Sequence, residues 1–166
     1  MRRLLLPLLA LLLPVLLVPG TAFGATATVK TAPTAAGTVL VNQHGKSLYM
    51  FGKDRHGKSS CSGACAQNWP PLTTSGKPKA GSGVSSSKLS TVKRSDGKTQ
   101  VTYAGHPLYG FIADQAAGDV NGQGINAFGG IWSLLMGSGS KVTGTPGQQS
   151  HAPAPTPTPS PSPSPY

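Results

Sequence analysis

The chain has 166 residues and sets fourteen Lys and Arg against four Asp and no Glu, for a formal net charge of +10. Such a chain is attracted to anionic cell-wall polymers or phospholipid headgroups. Its cations are scattered and form no basic helix or nucleic-acid motif, so specific nucleic-acid recognition is excluded.

Residues 1–24 read as a secretory signal peptide: Arg2 and Arg3, an apolar run from Leu4 to Val18, then small residues, with cleavage after Gly24 or as late as Ala27. About 15 apolar residues containing Pro7 and Pro14 are short of the roughly 20 that span a bilayer, and no transmembrane segment is expected in the mature chain. Removing Arg2 and Arg3 leaves twelve cations against four acids. The only cysteines, Cys61 and Cys65, lie far from the cleavage site, so the product is expected to be secreted, held at the wall non-covalently if at all, and not lipid-anchored. Residues 25–36 read as a flexible lead-in.

The domain proper is expected over 37–142, long enough to bury an independent core. Helix signals are poor, and strands are expected at 38–42, 47–51, 89–94, 99–103, 107–112 and 131–135. A turn at 43–46 joins the first two. Asp96-Gly97 and Ala104-Gly105 turn the later strands into a β-meander, because such tight turns favour positive φ. From residue 143 to 166 the chain is rich in Gly, Pro, Ser and Thr, and from His151 Pro stands at nearly every second position. That composition favours extended polyproline II over a buried core, as a spacer, a carrier of sugars or a disordered tail.

One pattern occurs twice, 60 positions apart: G-x-x-L-Y-x-F-x-x-D, as Gly45, Leu48, Tyr49, Phe51 and Asp54, and as Gly105, Leu108, Tyr109, Phe111 and Asp114. A Trp follows each copy, Trp69 and Trp132. Internal similarity means one supersecondary unit used twice. Repeat one covers about 37–72 and repeat two about 97–135. The two-residue period of a strand puts Tyr49 with Phe51, and Tyr109 with Phe111, on one face; Leu48 and Leu108 take the other. Both faces are apolar, so these strands are expected to be central in a mainly β domain of antiparallel hairpins with pseudo-twofold character.

These residues resemble a bacterial secreted-repeat family of predicted lipoproteins with a Tyr-x-aromatic-x-x-Asp motif. The first copy continues as Gly57, Ser59, Cys61, Gly63, Cys65, Ala66, Trp69, Pro70, Pro71 and Leu72, similar to the family's G-x-S-x-C-x-G-x-C-A-x-x-W-P-P-L stretch. The second, over 101–135, is similar to its V-T-Y-x-G-x-P-L-Y-x-F pattern followed by G-Q-G and Trp. The resemblance implies no established activity, and this chain lacks the lipidation cysteine that the family name suggests.

Four groups of residues are candidates for chemistry. Cys61 and Cys65 in an exported chain favour a disulfide, stabilising by about 2 kcal/mol. The alternative is a copper or thiol-redox site completed by His44, His56 or His106, since soft sulfur suits Cu(I). No haem-attachment His follows Cys65, and zinc-site spacing is absent. Asp54 and Asp114 suggest paired acid/base work, against which stands simple capping of loop N–H groups in Asx-turns. Asp114, Asp119 and Asn121 make a partial calcium-loop pattern that lacks its closing Glu. Tyr49, Tyr109, Trp69 and Trp132 suit either a ligand platform or a core, and alternating strand aromatics favour the core. His44 and His106 flank turns and are expected to be solvated. No nucleophile elbow is present. The sequence therefore points to a non-enzymatic binding or structural module of the cell envelope with no cofactor; the alternative is an extracytoplasmic copper-binding or thiol-redox protein.

Overall fold

The computed structural model describes residues 25–144. The signal-peptide reading and nearly all of the Pro-rich tail lie outside them. Nine strands are described: β1 (Thr28–Thr34), β2 (Gly37–Asn42), β3 (Tyr49–Phe51), β4 (Lys79–Ala80), β5 (Leu89–Lys93), β6 (Thr99–Tyr103), β7 (His106–Pro107), β8 (Asn126–Ala127) and β9 (Gly130–Leu134). One short helix, α1 (Ala64–Asn68), and a 3₁₀ turn at Ser86–Lys88 are the helical pieces described.

The strands form three small sheets, ordered β2-β1-β4, β3-β9-β8 and β5-β6-β7. The meander stands as expected: β5 pairs antiparallel with β6 from Leu89↔Tyr103 to Lys93↔Thr99, and β6 with β7. The first turn differs from the expected two-residue form: the Arg94 N–H donates to the Lys98 carbonyl across a three-residue loop in which Gly97, and not Asp96, is left-handed at φ 79°. In the second, Ala104 and Gly105 take 48° and 82°, the left-handed pair that a two-residue hairpin needs.

Residues 25–36 are not a flexible lead-in. They carry β1, which pairs with β2 from Val29↔Asn42 to Thr34↔Gly37 and runs parallel to β4 at its start. Val29 is fully buried, and burial together with this ladder is what orders the segment. Pro33, which cannot donate to a ladder, lies beyond the short β4 pairing.

The first expected hairpin opens early. Residue 47 makes a bridge to Val41, and Leu48 donates to Leu40. The chain then leaves β2, and β3 pairs with β9 through Tyr49↔Leu134 and Phe51↔Trp132. The backbone N–H of Leu40 goes to Leu135, so β2 meets the chain beyond β9. Likewise 107–112 is not one strand. Beyond β7 the chain bridges Tyr49 at Tyr109, then donates from Gly110 to Pro70 and from Ile112 to Asn68.

The two faces carry two cores. Tyr49, Phe51, Trp69, Tyr109, Trp132 and Leu134 share one; Leu40, Leu48, Val101, Tyr103, Leu108 and Leu135 share the other. The alternation read from the sequence therefore sorts the motif residues correctly.

Candidate functional site

The two motif copies meet at their tyrosines. Tyr49 and Tyr109 exchange both backbone hydrogen bonds, N–H to C=O at 2.9 and 3.0 Å. From this junction the side chains cross over. Tyr49 donates its hydroxyl to Asp114 Oδ2 at 2.7 Å, and Tyr109 donates to Asp54 Oδ2 at 2.8 Å. Each acid is thus served by the tyrosine of the other repeat.

The remaining carboxylate oxygens close loops. Asp54 Oδ1 accepts the N–H of Ser60 at 2.7 Å and its hydroxyl at 2.9 Å. Asp114 Oδ1 accepts the N–H of Asn121 at 3.0 Å. Capping therefore operates, but over spans of six and seven residues in place of the two of an Asx-turn. A charged acceptor held by such donors strengthens each bond.

The tryptophans obey the same symmetry. Trp69 and Trp132 stack face to face, centroids 4.0 Å apart and planes 1° from parallel. Phe111 covers the outer face of Trp69 at 4.1 Å, and Phe51 that of Trp132 at 4.2 Å. The result is a four-ring pile, Phe111-Trp69-Trp132-Phe51, in which each Phe lies on the Trp of the other repeat. Tyr49 and Tyr109 meet the edges of Trp69 and Trp132 at 5.4 and 5.1 Å. Gly122 is obligatory here: a Cβ would lie 2.7 Å from the Trp69 ring and 2.9 Å from that of Tyr49, and its N–H donates to the Tyr49 hydroxyl at 3.2 Å.

Burial sets the electrostatics. It pushes the Tyr49 phenol far above 10.0, with the Asp114 carboxylate adding to the rise. It does the same at Tyr109, where the Ser59 hydroxyl opposes it and Asp54 reinforces it. The Asp114 carboxyl is raised above 3.8 by burial, against the opposing bonds from Tyr49 and Asn121. Both phenols hold their protons, as internal donors must.

Sequence reasoning missed the polar cluster behind Tyr109. Its oxygen lies 2.7 Å from Ser59 Oγ, which accepts from Arg94 Nη1 at 2.7 Å. Arg94 also donates to Gln100 Oε1 at 2.8 Å and to the Cys61 carbonyl at 2.8 Å, and Gln100 donates onward to the Leu108 carbonyl. Gln100 stands between Thr99 and Val101 in β6 with no apolar pattern to mark it, yet it is fully buried.

Cys61 and Cys65 form a disulfide in the same core cluster as the aromatic pile, with both residues buried. The copper alternative needs their thiolates free, and in this structure each sulfur is bonded to the other. Among the described residues no three His, Cys, Asp or Glu side chains gather as metal ligands. His44 and His56 are exposed and His106 half-buried. The partial calcium-loop residues are engaged internally: Asp119 Oδ2 accepts the Ala116 N–H at 2.8 Å, and the Lys46 ammonium donates to the Asp114 and Gln115 carbonyls at 2.8 and 2.6 Å.

A shallow cleft of about 280 Å³ opens beside Asp114, floored by Leu48, Pro70, Pro71 and Phe111 and flanked by Lys46. Tyr49, Tyr109 and Asp54 do not line it. The four signature polar residues therefore form two separate pairs and share no hollow, and Asp114 alone of them reaches this cleft.

A family model described as a secreted repeat of unknown function matches the chain twice, over residues 30–73 and 90–136. No curated protein and no solved structure matches the chain significantly.

Proposed function

The chain belongs to this family of secreted repeats, and from that premise we propose that it is a non-enzymatic binding or structural module of the cell envelope. One observation carries the reading: the signature Tyr, Asp, Phe and Trp side chains of each repeat are engaged with those of the other. Groups fixed in this way hold a scaffold together, and the outer surface is left to make contact with partners. That surface is strongly cationic, which supports retention near anionic wall polymers. The leader exports the chain, and the Pro-rich tail acts as a spacer across the wall or solubilises the domain.

The test is sedimentation of the purified mature protein with isolated cell wall across a range of ionic strength. Binding at low salt that weakens as salt rises is expected, because exposed charges are screened beyond about 10 Å at 0.1 M. Failure to bind at every ionic strength would overturn the reading.

A further inference from the structure

We infer that the loop 52–58 of the first repeat, together with Phe128 and Ile131 beside it, is a docking face for an anionic phospholipid surface. The inference rests on the envelope-module reading and assigns it a place and a ligand chemistry.

The duplication supplies an internal control. In repeat one the loop after the motif reads Gly52-Lys53-Asp54-Arg55-His56-Gly57-Lys58; the matching stretch of repeat two is Ile112-Ala113-Asp114-Gln115-Ala116-Ala117-Gly118. The structural residue, Asp54 or Asp114, is kept in both, while Lys53, Arg55 and Lys58 face no cationic counterpart. These three cations are exposed; Arg55 Nη1 also donates to the Gly52 and Asp54 carbonyls of the loop at 2.7 and 3.0 Å, while repeat two forms its matching loop with no cation at any of the three places. The single acid of the loop, Asp54, is tied to Ser60 and Tyr109, and three cations against one acid leave the loop with a formal net charge of +2.

Apolar surface adjoins this charge. The loop is fastened to β9 through Gly52 N–H to the Ile131 carbonyl at 2.8 Å. A Cβ on Gly129 would come within 3.4 Å of Lys53 Nζ, so that ammonium lies over the β8–β9 turn. The turn presents Phe128, 42% exposed, and Ile131 is 54% exposed; with Ile112 these are the large apolar side chains left open among the described residues. Phe128 takes φ 55° ahead of Gly129 at 83°, and His56 takes 51° ahead of Gly57 at 72°. Two tight turns thus bring a ring and a group of cations to neighbouring positions.

A soluble polyanion gains nothing from an exposed Phe and Ile. A bilayer interface gains from both parts, with the ring and aliphatic chain entering the headgroup boundary while Lys and Arg keep their charges at the phosphates. Charge complementarity and the adjoining apolar pair together select the lipid surface.

The experiment is sedimentation of the mature protein with phosphatidylcholine vesicles, with and without phosphatidylglycerol. Binding is expected only when the anionic lipid is present. The triple variant Lys53→Ala, Arg55→Ala, Lys58→Ala should lose at least about tenfold in affinity, given that each juxtamembrane cation contributes measurably. A charge-matched control, Lys77→Ala, Lys79→Ala, Lys93→Ala, should lose clearly less. Phe128→Asn with Ile131→Thr should also weaken binding, and thermal melts verify that every variant is folded. Equal loss in both triple variants, or no effect of the apolar pair, would overturn the inference. Wild-type protein that sediments with cell wall but not with anionic vesicles would sink this face alone; binding to neither would sink the envelope-module reading as well.

Discussion

Asp114 accepts the hydroxyl of Tyr49 at 2.7 Å across the junction of the two repeats, and its other oxygen caps Asn121. Replacing the acid by an amide keeps the shape but turns one acceptor into a donor. Asp114→Asn, and Asp54→Asn at the matching place, should each lower the melting temperature, by an amount corresponding to roughly 1–3 kcal/mol for a buried group left without its partner. Denaturant or thermal unfolding measures this. Variants as stable as wild type would revive a catalytic role for these carboxylates.

The same acid gives a pH signature. Burial raises the Asp114 carboxyl above 3.8, so between that value and its raised folded value the native chain holds more proton than the unfolded chain. Stability contributed by this group rises as pH falls through that window and is flat above it. The stability difference between wild type and Asp114→Asn should therefore widen on acidification toward 3.8. A difference that shrinks instead would mean that the bonds from Tyr49 and Asn121 outweigh burial.

The indole pair is a single packing unit. Trp69→Ala and Trp132→Ala should each cost about 3–5 kcal/mol, as large aromatic deletions do. Because the rings lie 4.0 Å apart, the double variant should cost less than the sum, since contacting residues are non-additive. Urea unfolding of the three variants tests both statements. Strict additivity would contradict the shared pile.

Thiol titration of the native protein should find no free thiol, because Cys61 and Cys65 are paired. Reduction, or the double change to Ser, should lower stability by about 2 kcal/mol, the chain-entropy value for so short a loop, and leave the fold cooperative. Two free thiols with stoichiometric bound copper would favour the metal alternative.

The N-terminal strand also makes a commitment. Ala27 accepts from Lys79 N–H at 2.9 Å and Val29 is fully buried, so a chain beginning at residue 37 should show no cooperative melt. One beginning at Ala25 should melt cooperatively. A cooperative melt from the shorter chain would contradict the role of β1.

The sequence disclosed what local chemistry controls. Asp96-Gly97 and Ala104-Gly105 announced their turns through backbone preference, and strict alternation placed Leu48 and Tyr49 on opposite cores. Strand β1 was not legible: Thr, Lys and Pro around a single buried Val29 give no alternation, and its order comes from the distant ladder with β2. Nor was the crossing of Tyr49 to Asp114 legible. Periodicity says which way a side chain faces, but not which copy of a duplicated unit will meet it. The capping expectation held for one oxygen of each acid, though at Ser60 and Asn121 and not two residues on; the bond to the other oxygen, whose partner lies 65 residues away in the case of Asp114, had no local signal.

The exchange of tyrosines and acids makes each copy of the motif depend on the other for its completion. A polypeptide with one copy would carry a phenol lacking its carboxylate and half of a ring stack, and could complete itself only by meeting its twin. Within one chain both partners are always present, and the two halves can differ wherever they do not touch, as the loops after Asp54 and Asp114 do.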